Sequence, residues 1–463
     1  MVDKGATQDD GYVPSKIEQA LRRRVDAGDI IATDRCYFVP GQLVLSDLAA
    51  RLLEGDLREA GAERLNDEDG RHSFLGDIGL QLWFVAGQAG GPDLIARAAQ
   101  LKATALTRLS ELPRDGIRLR GAATPDDVDG PVIVSLNHIL LGQPHPMGTA
   151  VAPPVRTGAR RILEHAPEGA DPDIAILDTG VPNHKLLAEW HPELDDAVRR
   201  DAHNLRFPED VDSLYENGTA PELRALAGHG TFIAGLVRLV APDLVISPYA
   251  VLDPDGIGND VDIARALLVV GSRPMSVPVI SMSLGGYTFD DAPPPALQHV
   301  LDRLPRTTVV VASAGNDGYS RPFFPAAVNR VVAVAAFDDP LGVVRPAAWS
   351  NYGSWVDVCA PGVDLLSTYV VGTYEVSPGH IESFDGPDPS ARWSGTSFAS
   401  PLVAAEIARR VREDAETGTW PSGPLTADQA WRDLQAELEP LNASRRAGLV
   451  YWPPIDPRTP RLP

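Results

Sequence analysis

Cysteine is nearly absent. Cys36 and Cys359 are the only two in 463 residues, and they stand far apart in unrelated contexts. That excludes a disulfide framework or a Cys/His metal cluster and predicts two free thiols packed as small apolar groups. Basic residues are scarce as well: 41 Lys and Arg against 63 Asp and Glu leave a net charge of −22. Such an acidic chain excludes nucleic acid and anionic membranes as partners. No apolar run reaches the roughly 18 residues of a membrane-spanning helix, and no short-period repeat is visible. Met1 to Asp10 are polar and acidic, without the apolar core of a secretory leader. The expectation is a cytoplasmic protein. Apolar side chains are plentiful, at 44%, enough for two or three domains with real cores.

The chain divides into five stretches. Residues 1–30 read as a tail with a short charged helix around Lys16 to Asp26. Residues 31–140 alternate strands and helices, as in a small ferredoxin-like α+β domain. Its pieces are a strand from Cys36 to Ser46 broken at Pro40-Gly41, a helix capped by Ser46, strands at Gly79 to Val85, Ile117 to Arg120 and Val132 to Asn137, and a helix from Asp93 to Leu106. Residues 141–165 are rich in Pro and Gly and read as a linker. Residues 166–415 hold strands that are apolar throughout, at Asp173 to Asp178, Val245 to Val251, Val277 to Met282, Thr308 to Ala312 and Arg330 to Ala336. Helical stretches lie between several of them. Strands buried on both faces imply a doubly wound α/β, mostly parallel sheet, with its site at the carboxyl ends of the strands. Residues 416–463 are a helix around Thr426 to Leu438 and a Pro-rich tail.

Three short stretches can carry chemistry. In Ser394-Gly-Thr-Ser-Phe-Ala-Ser-Pro401 a serine opens an apolar helix, near the end that favours negative charge. Ser397 is inert there without a base. In Gly228-His-Gly-Thr231 the glycines let backbone pass close to the imidazole of His229, although a lone histidine in such a place is more often a cap or core residue. Asp178 ends a strand in Asp-Thr-Gly, a common turn. That triplet also resembles the aspartic proteases, but a second copy is missing.

Taken together, Asp178, His229 and Ser397 run acid, base, nucleophile, the chain order of subtilisin. The sequence resembles the subtilisin-like (subtilase) serine protease family. The likeness rests on Ile176-Leu-Asp-Thr-Gly180, Gly228-His-Gly-Thr231, Ser283-Leu-Gly-Gly286, Ala314-Gly-Asn316 and Gly395-Thr-Ser-Phe-Ala-Ser-Pro401. The resemblance implies that Ser397 attacks a peptide carbonyl, His229 relays its proton and Asp178 orients the imidazole. It implies that Asn316 donates to the oxyanion. It also implies that Ser283, Leu284 and Gly285 on one side, and Gly256 and Gly258 on the other, sandwich an extended protein or peptide substrate.

No cofactor is implied, and no metal. Asp253-Pro-Asp-Gly lacks the closing Glu of a calcium loop, and after His229 the helix runs straight into Val240-Ala-Pro-Asp243, where many relatives carry a calcium loop. Phe232 stands where many relatives have His. The stretch between Leu366 and Ser394 is longer than usual, either a gate or docking element or a plain surface excursion. More weakly, the N-terminal domain resembles the inhibitory prodomains of the family, Phe38 to Val44 like their first strand and Ser135 to Ile139 like their last. This implies an intramolecular inhibitor, with cleavage after about Asn137. Two functions stay open: an endopeptidase, possibly autoinhibited, and a non-proteolytic interaction protein with a permanently blocked groove.

Overall fold

Alternation within one strand organises the molecule. Ile174 and Ile176 face a core layer shared with the helices His229–Val240 and Thr396–Thr417. Ala175 and Leu177 face a second layer, shared with Asp260–Gly271 and Pro295–Arg303. A strand with helices on both sides has no solvated face, so every position in Ile174–Asp178 is buried. The computed structural model describes residues 15–65, 73–86, 91–111, 131–142, 153–157, 171–199, 215, 222–271, 277–339, 343–377, 379–418, 423–438 and 448–459. The main sheet runs Leu449–Val450, Val358–Pro361, Val331–Asp338, Val309–Ser313, Val279–Met282, Ile174–Asp178 and Ile246–Ala250. All of these neighbours pair in parallel, and Arg345–Pro346 adds one short antiparallel edge. The fold is doubly wound α/β.

The N-terminal unit is antiparallel, in the order Ala62–Arg64, Leu80–Val85, Tyr37–Ser46, Val134–Leu141. Along the chain its strands are separated by Asp47–Leu52 with Glu54–Glu59, then by Ser73–Asp77, then by Gly91–Glu111, a split βαβ succession. Phe38, Leu43, Leu45, Leu53, Leu94 and Leu136 form its own core. Pro40-Gly41 does not break the first strand. The register shifts there, between Phe38 and Leu43, with Gly41 at φ 68°, so the irregularity is absorbed as a bulge.

Several expectations are corrected. The last strand of this unit runs to Leu141, past the expected end at Asn137. It then pairs with Ile257–Asn259, so the two units share one sheet. The helix Lys16–Asp26, expected only as a short charged helix in a tail, packs on the main unit: Ile17, Ala20 and Leu21 enter the core layer of Ile174 and Ile176, and Arg24 bonds Asp253 Oδ2 at 2.8 Å. The stretch from Leu366 to Ser394, longer than usual, has secondary structure of its own. It holds a hairpin, Gly372–Ser377 with His380–Phe384, and the strand Ser390–Trp393. Tyr374 and Tyr369 donate to the carbonyls of Ala225 and Ala227, so this region braces the segment leading into His229. The tail contributes Leu449–Val450 to the edge of the main sheet. The expected strand Ile117 to Arg120 lies outside the described residues.

Candidate active site

Three adjacent parallel strands deliver the site to one edge. Met282 is in register with both Leu177 and Ala312. Asp178, Ser283 and, shortly beyond Ser313, Asn316 therefore emerge together at the carboxyl ends. His229 opens a helix beside them. Gly228 precedes it with φ 81°, a left-handed turn that a side chain resists, and a Cβ on Gly230 would lie 2.1 Å from the Gly180 carbonyl oxygen. The Gly-His-Gly frame is thus the condition for bringing the imidazole against the Asp-Thr-Gly turn.

His229 Nδ1 lies 2.7 Å from Asp178 Oδ1, and both residues are fully buried. The same carboxylate oxygen accepts from the Thr179 amide at 2.7 Å. With Nδ1–H held by the carboxylate, Nε2 is left as the basic nitrogen, buried and without a partner. Asn316 is fixed by its oxygen: Oδ1 accepts from Thr396 N at 2.9 Å and Thr396 Oγ1 at 2.8 Å, while Thr396 Oγ1 accepts from Gly315 N at 3.1 Å. Its Nδ2 is a buried donor without a partner, poised for charge that develops during reaction.

Ser397 is tied to both groups through its neighbours in the chain. Thr396, before it, is tied to Asn316. Phe398, after it, places its ring 5.1 Å from the His229 ring, and Trp393 meets the same imidazole edge-on at 5.4 Å. Phe232, buried, packs on Phe398 at 4.6 Å, so the residue that differs from many relatives fills an aromatic cluster. The structure thus assembles Asp178, His229, Asn316 and Ser397. Sequence reasoning did not single out Thr396 and Thr179, which hold the polar atoms in place, although both adjoin the motif residues.

The cleft is occupied by the chain itself. Leu141 and Gly285 exchange both backbone hydrogen bonds, at 2.8 and 2.9 Å, and Gly142 N donates to Gly256 O at 2.9 Å. On that side Leu140 is in register with Gly258. Ser397 Oγ donates to the Gly142 carbonyl at 3.0 Å. Gly285, Gly256 and Gly258 therefore line an extended strand, whereas the Leu284 side chain is turned into the core. Ser283 Oγ donates to the Ser397 carbonyl at 2.7 Å and braces the nucleophile. Asn137, the expected cleavage position, is five residues short of the site, its amide bonded to Gln42 Oε1. The strand persists that far because Val134 to Leu141 are buried on both sides. Beside the cleft a cavity of about 300 Å³ is lined by Cys36, Tyr37, Ile139, Tyr287, Asp317 and Arg321. Burial raises the Asp317 carboxyl to about 6, against which the hydrogen bond from Tyr287 pulls down.

Asp253 is engaged by the backbone of its own turn. Its Oδ1 accepts from Asp255 N and Ile257 N, each at 3.0 Å, which shapes the turn into the Gly256–Gly258 strip. Among the described residues no three His, Cys, Asp or Glu side chains cluster as metal ligands, and no helix is long and apolar enough to cross a membrane.

A profile described as the subtilase family, Peptidase_S8, matches residues 169–433, more than half of the chain. The chain belongs to the subtilase family. This subtilase is 36% identical over 234 residues to a thermophilic serine proteinase of Bacillus sp. strain AK1, covering 50% of each chain. It is 33% identical over 247 residues to thermitase of Thermoactinomyces vulgaris, covering 51% of this chain and 74% of thermitase. It thus spans about half the length of the first relative and three quarters of the second. A solved cold-adapted subtilisin-like serine proteinase superimposes with a TM-score of 0.42 at 23% identity, covering 64% of this subtilase and 96% of that chain.

Proposed function

We propose that the chain is a serine endopeptidase whose own N-terminal unit occupies its cleft as an intramolecular inhibitor. The observation that carries the reading is the bond of 2.7 Å between His229 and Asp178, with Nε2 and the Asn316 amide left open beside Ser397. In the reaction, Nε2 takes the Ser397 proton as Oγ attacks a peptide carbonyl. The tetrahedral oxyanion receives the Asn316 amide and the Ser397 N–H, and the proton then passes to the leaving amine. Water repeats the sequence on the acyl-enzyme. A substrate strand would pair with Gly285 and with Gly256 and Gly258, as residues 139–142 do.

One observation favours the second reading, a groove kept shut. Ser397 Oγ is bonded to the Gly142 carbonyl and not to His229. Time-resolved intact-mass analysis of the purified chain separates the two. The endopeptidase reading expects the wild type to hydrolyse a denatured protein and to break in or just after Gly142, while Ser397→Ala stays whole. A wild-type chain that stays whole and leaves the substrate untouched supports the shut groove.

A further inference from the structure

The cleft-filling strand has a glycine at its end, and the surroundings of Gly142 account for it. A Cβ built there would lie 2.4 Å from Leu226 Cδ2 and 2.9 Å from Leu252 Cδ1. Its backbone is not in the left-handed region, so glycine is demanded by space and not by torsion. A leucine methyl ordinarily swings aside, but these two are trapped. Both side chains are fully buried. Leu226 Cδ2 also packs on Gly256, where an added Cβ would come within 2.6 Å, and Leu252 Cδ2 packs on Gly258, where it would come within 2.9 Å. Each leucine is therefore caught between the occupying strand and the strip that pairs with it.

Their backbones cannot retreat either. Leu226 N donates to Pro254 O at 2.7 Å, and Leu226 O accepts from His229 N at 3.1 Å. Leu252 N donates to Asp178 O at 3.1 Å. Displacing one leucine moves the segment that carries the base, and displacing the other moves the segment that carries the acid.

We propose that Leu226 and Leu252 form a glycine-selecting subsite: any strand held in this register, the chain's own or a substrate's, must present glycine where Gly142 lies. The substrate half of this rests on the endopeptidase reading above. The class of substrate it names is an extended segment with apolar residues followed by glycine, as in Ile139-Leu-Leu-Gly142. Overpacking a filled interior weakens an interaction by roughly 5- to 150-fold, so alanine at this position is expected to lose at least about fivefold, and valine more.

The test uses the full chain and two readouts. Hydrogen exchange at the Leu141 and Gly142 amides reports whether the strand is seated, whatever the state of the nucleophile. Gly142→Val is expected to lose at least tenfold in protection there. Adding Leu226→Ala, which removes about the volume that valine adds, is expected to return it to within about threefold of Leu226→Ala alone. Unchanged protection in Gly142→Val, or failure of the second substitution to restore it, overturns the proposal. In parallel, digestion of a random peptide library is expected to enrich glycine at one position next to or near the cut, relaxing to alanine and serine in Leu226→Ala. Cleavage without glycine enrichment overturns the substrate half. Absence of any cleavage, with the exchange result as expected, counts against the endopeptidase reading and leaves the subsite upheld by its effect on the chain's own strand.

Discussion

Removing the Asn316 amide tests the chemistry of the site directly, provided that folding is checked alongside. Its Nδ2 has no partner in the resting site, so nothing in the ground state is lost when it goes. Asn316→Leu keeps the number of side-chain heavy atoms and their branching, and removes the donor. Loss of one such donor costs about 3–4 kcal/mol of barrier, or 100- to 1,000-fold in kcat, a range established on subtilisin itself. The price in stability comes from the other side of the residue, where Thr396 N and Oγ1 lose their acceptor. That is about 1–3 kcal/mol for each donor left dry. Thr396→Val tests the same arrangement through a positioning residue: the backbone bond to Asn316 survives and the hydroxyl bond does not. About 1 kcal/mol of lost orientation corresponds to roughly fivefold in kcat. The assay is steady-state hydrolysis of a peptide substrate, with thermal unfolding as the control. KM should stay within about twofold in both variants, since neither group is needed to pair a substrate strand. A folded Asn316→Leu chain that keeps more than a third of wild-type kcat would refute the reasoning.

Two further predictions concern groups beside the site. Asp317 is raised from 3.8 to about 6 by burial. Its cost to the fold is absent below pH 4 and grows as pH rises through 6. The shift sets a ceiling of about 3 kcal/mol, reduced by partial exposure to about 1–2 kcal/mol. Asp317→Asn should therefore unfold at a higher temperature than wild type at pH 8 and at the same temperature at pH 4; the same difference at both pH values would contradict the assignment. Burial also raises both thiols, Cys359 to about 12. Neither should react with a thiol reagent at pH 8 in the native chain, and both should react after denaturation.

Much of this was readable from the sequence because the chemistry confines residue types to short frames. Asp178, His229, Asn316 and Ser397 each stand in a motif where glycine or a small residue is sterically required, as Gly228 and Gly230 show. The parallel strands were readable because burial on two faces leaves no polar alternation. The occupied cleft was not. Leu141 and Gly142 adjoin a Pro/Gly-rich stretch and read as linker, because what holds them in an extended strand is pairing with Gly285, Gly256 and Ile257, more than a hundred residues away in sequence. The hairpin at 372–384 was missed for a local reason: its strands are short, bulged and half polar, and Ile381 is 62% exposed. The helix Lys16–Asp26 was legible as a charged helix, but not the surface that receives it. Leu226 and Leu252 carry no signature, since their role comes from which glycines they touch.

The account stands most directly on covalent labelling by a fluorophosphonate, mapped by peptide mass. Wild-type chain should acquire one adduct, on Ser397, and His229→Ala should slow it at least 100-fold while staying folded. An adduct elsewhere, none at all under conditions where subtilisin reacts, or an equal rate without His229 would contradict a serine activated by the His229–Asp178 pair.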